Sequence, residues 1–350
     1  MKLNYEPLSK HIQLVDYRNS GEVTSTVLGI SIDKEFMPSV ANVIGTDLSR
    51  YKLISKGLFA CNPMHVGRDE RLPIALYEKD SPAIVSPAYF MFEIIDRDVL
   101  NEEYLMMWFR RPEFDRECWF MTDGSVRGGI TWDDLCRIKL PVPSYARQCE
   151  VVESYRAITD RIALKRAEND NLEAVLAASH SKMFFSKDTS EHTKLGELMT
   201  FGNGKSRPKT DGPIPVYGGN GVLSYTDHHN IENAVLIGRV GAYCGSVYLE
   251  QGICWVSDNA IFAKSKITKD EFFDYFLLKR LNLFNHHVGT GQQLLTQEIL
   301  NNIEVPKPVT EQIELFNRKA ASVFETIFTN SREIIRLQEL SDLLLSRLAG

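Results

Sequence analysis

The chain has 350 residues, 43% hydrophobic and 25% charged, with a formal net charge of −6. That make-up fits a globular protein long enough for two domains, and it argues against a general nucleic-acid binder, which carries a basic surplus. No run approaches the length of an apolar membrane span, and the start MKLNYEPLSKHIQLV lacks the apolar core of a secretory signal. The six cysteines (61, 118, 136, 149, 244, 254) show no C-x-x-C spacing, so free thiols in a reducing cytoplasm are expected, with neither a disulfide frame nor a metal site.

Residues 1–147 are expected to form a first globular block, with 18 Lys/Arg against 21 Asp/Glu. Its stretch AIVSPAYFMFEI, rich in β-branched and aromatic residues, predicts strand, and EEYLMMWF (102–109) predicts a short buried helix. At 138–148 the chain reads IKLPVPSYARQ. The two prolines hold extended backbone and remove donors, so a strand should end there and a helix begin. That helix, 148–186, contains no Pro or Gly as far as Met183. Val151, Tyr155, Ile158, Ile162, Lys165, Asn169, Leu172, Leu176, Ser179 and Met183 recur at alternating spacings of four and three, the period of a coiled-coil seam.

A second block, 187–309, carries 12 Lys/Arg against 13 Asp/Glu. It opens on GNGKSRPKTDGPIPVYGGNGVLSY, continues through the strand-like ICWVSDNAIFAKSKI, and has its own helical EFFDYFLL (271–278). The opening loop presents Lys205, Arg207 and Lys209 near Tyr217 and Asn220. It is either a solvated loop or a surface laying amides and cations against phosphates. Residues 303–312 then read IEVPKPVTEQ, and 310–350 repeat the seam with Phe316, Ala320, Val323, Ile327, Asn330, Ile334, Leu337, Ser341, Leu344 and Leu348.

The second hinge and helix restate the first at a constant offset of 165: Thr131 and Thr296, Leu135 and Leu300, Ile138 and Ile303, Pro141 and Pro306, Pro143 and Pro308, and every seam position. The helices could pack on separate cores, but matched length and phase favour seams that face each other. The polar members Lys165, Asn169, Asn330 and Ser341 cost stability and select register. Within the blocks the match drifts, with ISKGLFAC (54–61) aligned to IGRVGAYC (237–244) at 183 and the VS dipeptides at 171. The blocks therefore read as diverged copies with loops of different length, while the hinge-helix units kept one length.

Catalytic readings fail on pattern. GNGKS lacks the leading glycine of a phosphate-binding loop, since Met199 stands there, and Pro208 interrupts the helix that should follow. CNPMH (61–65) is only superficially like an amino-methyltransferase loop, and no glycine-rich cofactor loop accompanies it. The pairs His228-His229 and His286-His287 are adjacent rather than one helical turn apart.

The paired hinges KLPVPSYARQ and EVPKPVTEQ, the two long helices, and VYGGNGVLSY, LIGRVGAYCGSVY and WVSDNA give the whole chain a pattern that resembles the specificity subunit of type I restriction–modification enzymes. Arg147 stands where that family usually has an acidic residue. The resemblance implies an α+β fold: two mixed α/β target-recognition domains (1–147 and 187–309), joined by a pair of long antiparallel coiled-coil helices (148–186 and 310–350) with an internal pseudo-twofold repeat. It implies a non-catalytic subunit that reads a bipartite double-stranded DNA target and recruits two modification subunits, which bind S-adenosylmethionine and methylate adenine. Restriction subunits using ATP and Mg join the full complex, and the coil acts as a ruler between half-sites. The competing readings are a nuclease or modification enzyme with an unrecognised site, and a coiled-coil adaptor that never touches DNA. The DNA surface is expected at Lys205, Arg207, Lys209, Tyr217, Asn220, Arg239, Ser257, Asn259 and Gln292 in the second block, and at Lys56, Asn62, Arg68 and Arg127 in the first.

Overall fold

A computed structural model describes residues 4–40, 45–64, 66–122, 128–186, 191–289 and 291–349. The chain divides into two compact units, residues 1–164 with 333–350, and residues 165–332. Two helices run through both: α5 (Tyr145–Phe185) and α9 (Thr310–Ser346).

The first unit holds strands β1 (Tyr5–Pro7), β2 (Ile12–Leu14), β3 (Val27–Ile30), β4 (Phe36–Pro38), β5 (Lys52–Ile54), β6 (Phe59–Cys61), β7 (Ile74–Leu76), β8 (Ala83–Val85), β9 (Phe90–Ile94) and β10 (Lys139–Pro141). Its shorter helices are α1 (Val66–Asp69), α2 (Glu102–Phe109), α3 (Pro112–Phe120) and α4 (Trp132–Arg137). The sheets run β2-β9-β6-β7 and β4-β3-β8-β5, with β1 paired to β10. In the core Phe59 stacks on Phe92 at 5.1 Å, and Phe109 packs edge-on against both. Each such ring contributes about 1.5–3 kcal/mol by leaving water.

The second unit holds β11 (His192–Lys194), α6 (Leu195–Leu198), β12 (Met199–Asn203), β13 (Ile214–Gly218), β14 (Gly221–Thr226), β15 (Ile231–Gly238), β16 (Val247–Val256), β17 (Ala260–Ser265), α7 (Phe272–Arg280), α8 (Gln297–Asn302) and β18 (Glu304–Pro306). One sheet runs β12-β17-β15-β16-β13-β14, and β11 pairs with β18.

The strand pairings of the two units repeat. Antiparallel β2·β9 corresponds to β12·β17, β6·β9 to β15·β17, β6·β7 to β15·β16, and β3·β4 to β13·β14. The parallel pair β3·β8 corresponds to β13·β16. The hinges also repeat atom for atom. Thr131 and Thr296 cap α4 and α8 by accepting from Asp134 N and Ile299 N, both at 3.2 Å, which satisfies a first-turn amide. Strands β10 and β18 both end on a proline, Pro141 or Pro306, where the missing N–H stops the ladder.

The pairing corrects one alignment made from sequence. Phe59 pairs with Phe92, and Val235 with Ala263. Phe92 and Ala263 share the 171 offset of the VS dipeptides, so Val235 is the counterpart of Phe59, 176 residues on. ISKGLFAC and IGRVGAYC are therefore not equivalent. Gly241–Tyr243 form a short 3-10 turn where that alignment would need strand β6. Similar small and apolar residues in a turn and a strand produced the false match.

All the sequence-derived seam positions on α5 and α9 are buried or half-buried. In the first unit Leu344 of α9 and Leu348 in the 3-10 turn just after it share a core with Val151 and Tyr155 of α5, and Arg161 pairs with Glu333. In the second unit Lys165 donates to Asn330 at 2.9 Å, and His180 lies against Phe316 at 5.3 Å. In each unit the helices are thus antiparallel.

Candidate nucleic-acid interface

Three motifs scattered through the second block meet at one rim. The β13–β14 turn (Gly218–Gly221), the loop 239–246 after β15, and the turn 257–259 before β17 are tied by short bonds. Ser246 Oγ donates to Gly219 O at 2.5 Å, Arg239 N to Asn259 O at 2.9 Å, and Ser257 N to Tyr217 O at 2.8 Å. Residues 291–295 join them, since Gly241 N donates to Gln293 O at 3.0 Å and Leu295 N to Arg239 O at 2.9 Å. The glycines permit this crowding. A Cβ on Gly238 would stand 2.2 Å from Tyr243 O. Gly245 has φ +84° and its Cβ would meet Phe284 N at 2.4 Å, a conformation and a contact that only glycine tolerates.

Lys205 is laid against this rim by its amide, which donates to Val256 O at 3.0 Å. Its side chain, like those of Lys209, Asn220, Asn259 and Gln292, is exposed. Arg207 is exposed too, but its guanidinium reaches β14, donating to Ser224 Oγ at 3.0 Å and Leu223 O at 3.3 Å. Arg239 is half-buried and Ser257 is 2% exposed. Arg239 Nε and Ser257 Oγ have no hydrogen-bond partner among the described residues, so both keep donor capacity at the rim.

Tyr217 is a correction. Its hydroxyl donates to Glu250 at 2.9 Å and its ring lies 6.4 Å from that of Tyr248. Burial, reinforced by the Glu250 carboxylate, pushes its phenol pKa up. The side chain braces the sheet beneath the rim, while its backbone carbonyl holds Ser257. Tyr243, 51% exposed in the loop 239–246, was not among the residues expected from sequence.

The first unit builds the corresponding rim. Ile130 N donates to Pro63 O at 3.1 Å, the counterpart of the Leu295–Arg239 bond. Tyr89 N donates to Ser86 O at 3.1 Å, as Ala260 N does to Ser257 O at 3.0 Å. The β3–β4 turn is pinned by Lys34 Nζ, which donates to Leu72 O at 2.9 Å and Asp115 Oδ1 at 2.6 Å. Of the residues expected there, Asn62 is half-buried and accepts from Met64 N at 3.2 Å, shaping its own turn. Arg68 is exposed but forks onto Asp69 at 2.7 and 2.9 Å, which raises its pKa. Lys56 pairs with Asp80 at 2.8 Å, outside the four rim segments, and its pKa is raised by that carboxylate. Arg127 lies outside the described residues. Asp33 and Arg71, which meet at 3.0 Å across the rim, were not foreseen, because only the fold brings their loops together.

Comparison with known proteins follows the same lines. The profile of the Type I restriction modification DNA specificity domain matches residues 187–343. The Type I restriction enzyme EcoprrI specificity subunit of Escherichia coli is 23% identical over 219 residues, covering 57% of this chain and 53% of that protein. The chain thus matches about half the length of this curated relative. The type I restriction–modification system S subunit from M. genitalium superposes with a TM-score of 0.60 at 15% identity, over 99% of this chain and 96% of that one. A chain from a study of complex assembly and conformational transition of the type I R-M system gives a TM-score of 0.48 at 16% identity, over 100% and 99% of the two chains.

Proposed function

We propose that this chain, whose residues 187–343 match the type I restriction modification DNA specificity domain, belongs to that family and is the subunit that chooses the DNA target for a methyltransferase. Each unit reads one half of a bipartite duplex site with its rim of loops. The chain recruits two modification subunits, which supply S-adenosylmethionine and adenine methylation, and restriction subunits with ATP and Mg complete the enzyme. The chain itself performs no chemistry. The observation that carries this reading is the repeat of one strand-pairing network in two units, each with corresponding loop-to-loop bonds, Ile130 N to Pro63 O and Leu295 N to Arg239 O. A scaffold repeated faithfully with loops that differ is what two readers of different sequences require, because specificity lies in base-edge donors and acceptors carried on loops.

The half-sites are expected to be short and separated by a fixed unread gap whose length depends on the paired helices. Inserting one heptad into both helices adds about 10 Å of helix at 1.5 Å per residue, or about three base pairs at 3.4 Å per step. The test combines the purified chain with its modification subunits, S-adenosylmethionine and genomic DNA, and maps the methylated adenines. A two-part motif with a constant gap supports the proposal. Cleavage or methylation by the chain alone would replace it with an enzymatic function. Failure of the assembled complex to bind duplex DNA would leave the coiled-coil adaptor.

A further inference from the structure

The two rims differ in charge in most of their segments, although the turn 257–259 carries Asp258 where residues 86–88 are uncharged. The connection from β12 to β13 carries Lys205, Arg207 and Lys209 against Asp211 alone. Its counterpart from β2 to β3, residues 15–26, carries Arg18 against Asp16 and Glu22. The loop after β15, residues 239–246, has Arg239 and no acidic residue, whereas residues 62–73 after β6 set Arg68 and Arg71 against Asp69 and Glu70. The β13–β14 turn is uncharged, and the β3–β4 turn holds Asp33, Lys34 and Glu35.

The pairing sharpens the difference. Arg18 forks onto Asp16 at 3.1 and 2.8 Å, Arg68 forks onto Asp69, and Arg71 donates one bond to Asp33 at 3.0 Å. Lys34 is buried against Asp115. Among the described residues no ion pair is recorded for Lys205, Arg207, Lys209 or Arg239. A cation held by a carboxylate presents little net charge beyond about 10 Å, the Debye length at 0.1 M salt. Moving it onto a phosphate leaves the carboxylate facing that phosphate. Counterions are released only where cations neutralise phosphates, at roughly 0.9 per phosphate in the slope of log K against log salt.

Resting on the DNA-reading function above, we propose that the second unit is the electrostatic anchor of this protein on DNA, through Lys205, Arg207 and Lys209 with Arg239 behind them. The described rim residues of the first unit offer almost no phosphate clamp of their own while reading their half-site. Binding energy and sequence choice are thereby divided unequally between the two halves of the chain.

The experiment measures affinity of the complete complex for a labelled duplex carrying its methylated motif, by fluorescence anisotropy from about 50 to 200 mM salt. The triple variant Lys205→Gln/Arg207→Gln/Lys209→Gln should flatten the salt slope by about 2–3. Arg18→Gln/Arg71→Gln should leave it within about 0.5 of wild type, since each arginine is already neutralised. Asp16→Asn/Asp33→Asn/Asp69→Asn, which frees three cations in the first unit, should steepen it by about 2–3. Unfolded variants are recognised by far-UV circular dichroism, and the third set tests the idea independently of the first. Equal slope changes for the first two sets, or none for the third, would overturn the anchor while leaving DNA reading intact. Absence of sequence-specific binding by the wild-type complex would overturn both.

Discussion

Replacing Asn330 by alanine should destabilise the second unit more than any exposed substitution on α9. Asn330 is 3% exposed in the seam. Its Nδ2 donates to Asn169 Oδ1 at 2.9 Å and to Glu168 Oε2 at 3.1 Å, and its Oδ1 accepts from Lys165 Nζ at 2.9 Å. A neutral hydrogen bond is worth about 1 kcal/mol and a charge-assisted one about 1.5–3. Lys165 and Glu168 keep each other at 3.0 Å and regain water, so the net loss should be about 2–3 kcal/mol. A unit of this size loses about 2–4 °C of Tm per kcal/mol, giving a fall of roughly 5–10 °C. The triple variant Lys165→Leu/Asn169→Leu/Asn330→Leu should go the other way, because well-packed apolar residues often outperform a buried polar group. It should also loosen register, which a polar seam residue specifies. Thermal unfolding by circular dichroism reads both. An Asn330→Ala variant within about 0.5 kcal/mol of wild type, or a triple variant less stable than it, would refute the claim that this trio is a satisfied register lock.

In a Cys149→Ser background, cysteines at Val151 and Leu344 should form a disulfide under mild oxidant, since both side chains pack on the first unit's core and the Arg161–Glu333 pair sets the register that brings them level; a disulfide between positions 151 and 316 instead would indicate parallel helices. Gln148 is fully buried, accepts from Asn101 N at 2.9 Å, and donates to Val99 O and Pro143 O at 2.9 Å each. Gln148→Ala should cost about 2–4 kcal/mol in urea unfolding, with an unchanged midpoint counting against the pinned hinge. His180 sits among five phenylalanine rings, and its burial, aided by Arg280, drives its pKa down to about 3. The unfolded chain binds a proton there below about 6.5 while the fold does not, so this group removes about 1.4 kcal/mol per pH unit on acidification from 6.5 towards 3. Asp274 behaves oppositely: burial raises it to about 7, so its contribution is complete below about 3.9 and is lost as pH rises through 7. Between pH 4 and 6.5 the two should offset, with stability falling as pH rises in His180→Leu and rising with pH in Asp274→Asn; parallel pH profiles for the two variants would contradict both assignments.

Local pattern was enough to specify the hinges and helices. Pro141 and Pro306 end strands and seams at four-three spacing bury one stripe, whereas Thr131 and Thr296, matched in sequence only by their offset, prove to be caps in the fold. All of these are decided within a few residues by dihedral limits and helical period. The ungapped 165 offset survived because hinge and helix tolerate no change of length. The helices' antiparallel sense entered only through family resemblance, and the fold supplies its contacts, Arg161 with Glu333 and Lys165 with Asn330. The rims were legible only as fragments. Two glycine-rich motifs marked loops and WVSDNA read as strand, but the convergence of all three depends on strand pairing between residues far apart in sequence, which no local rule encodes. The same dependence explains the misplaced partner of Phe59, the Tyr217 side chain turned onto Glu250, and the carboxylates that neutralise Arg18 and Arg71. A cation in a sequence is a charge, but whether it can meet a phosphate depends on which carboxylate the tertiary structure sets beside it.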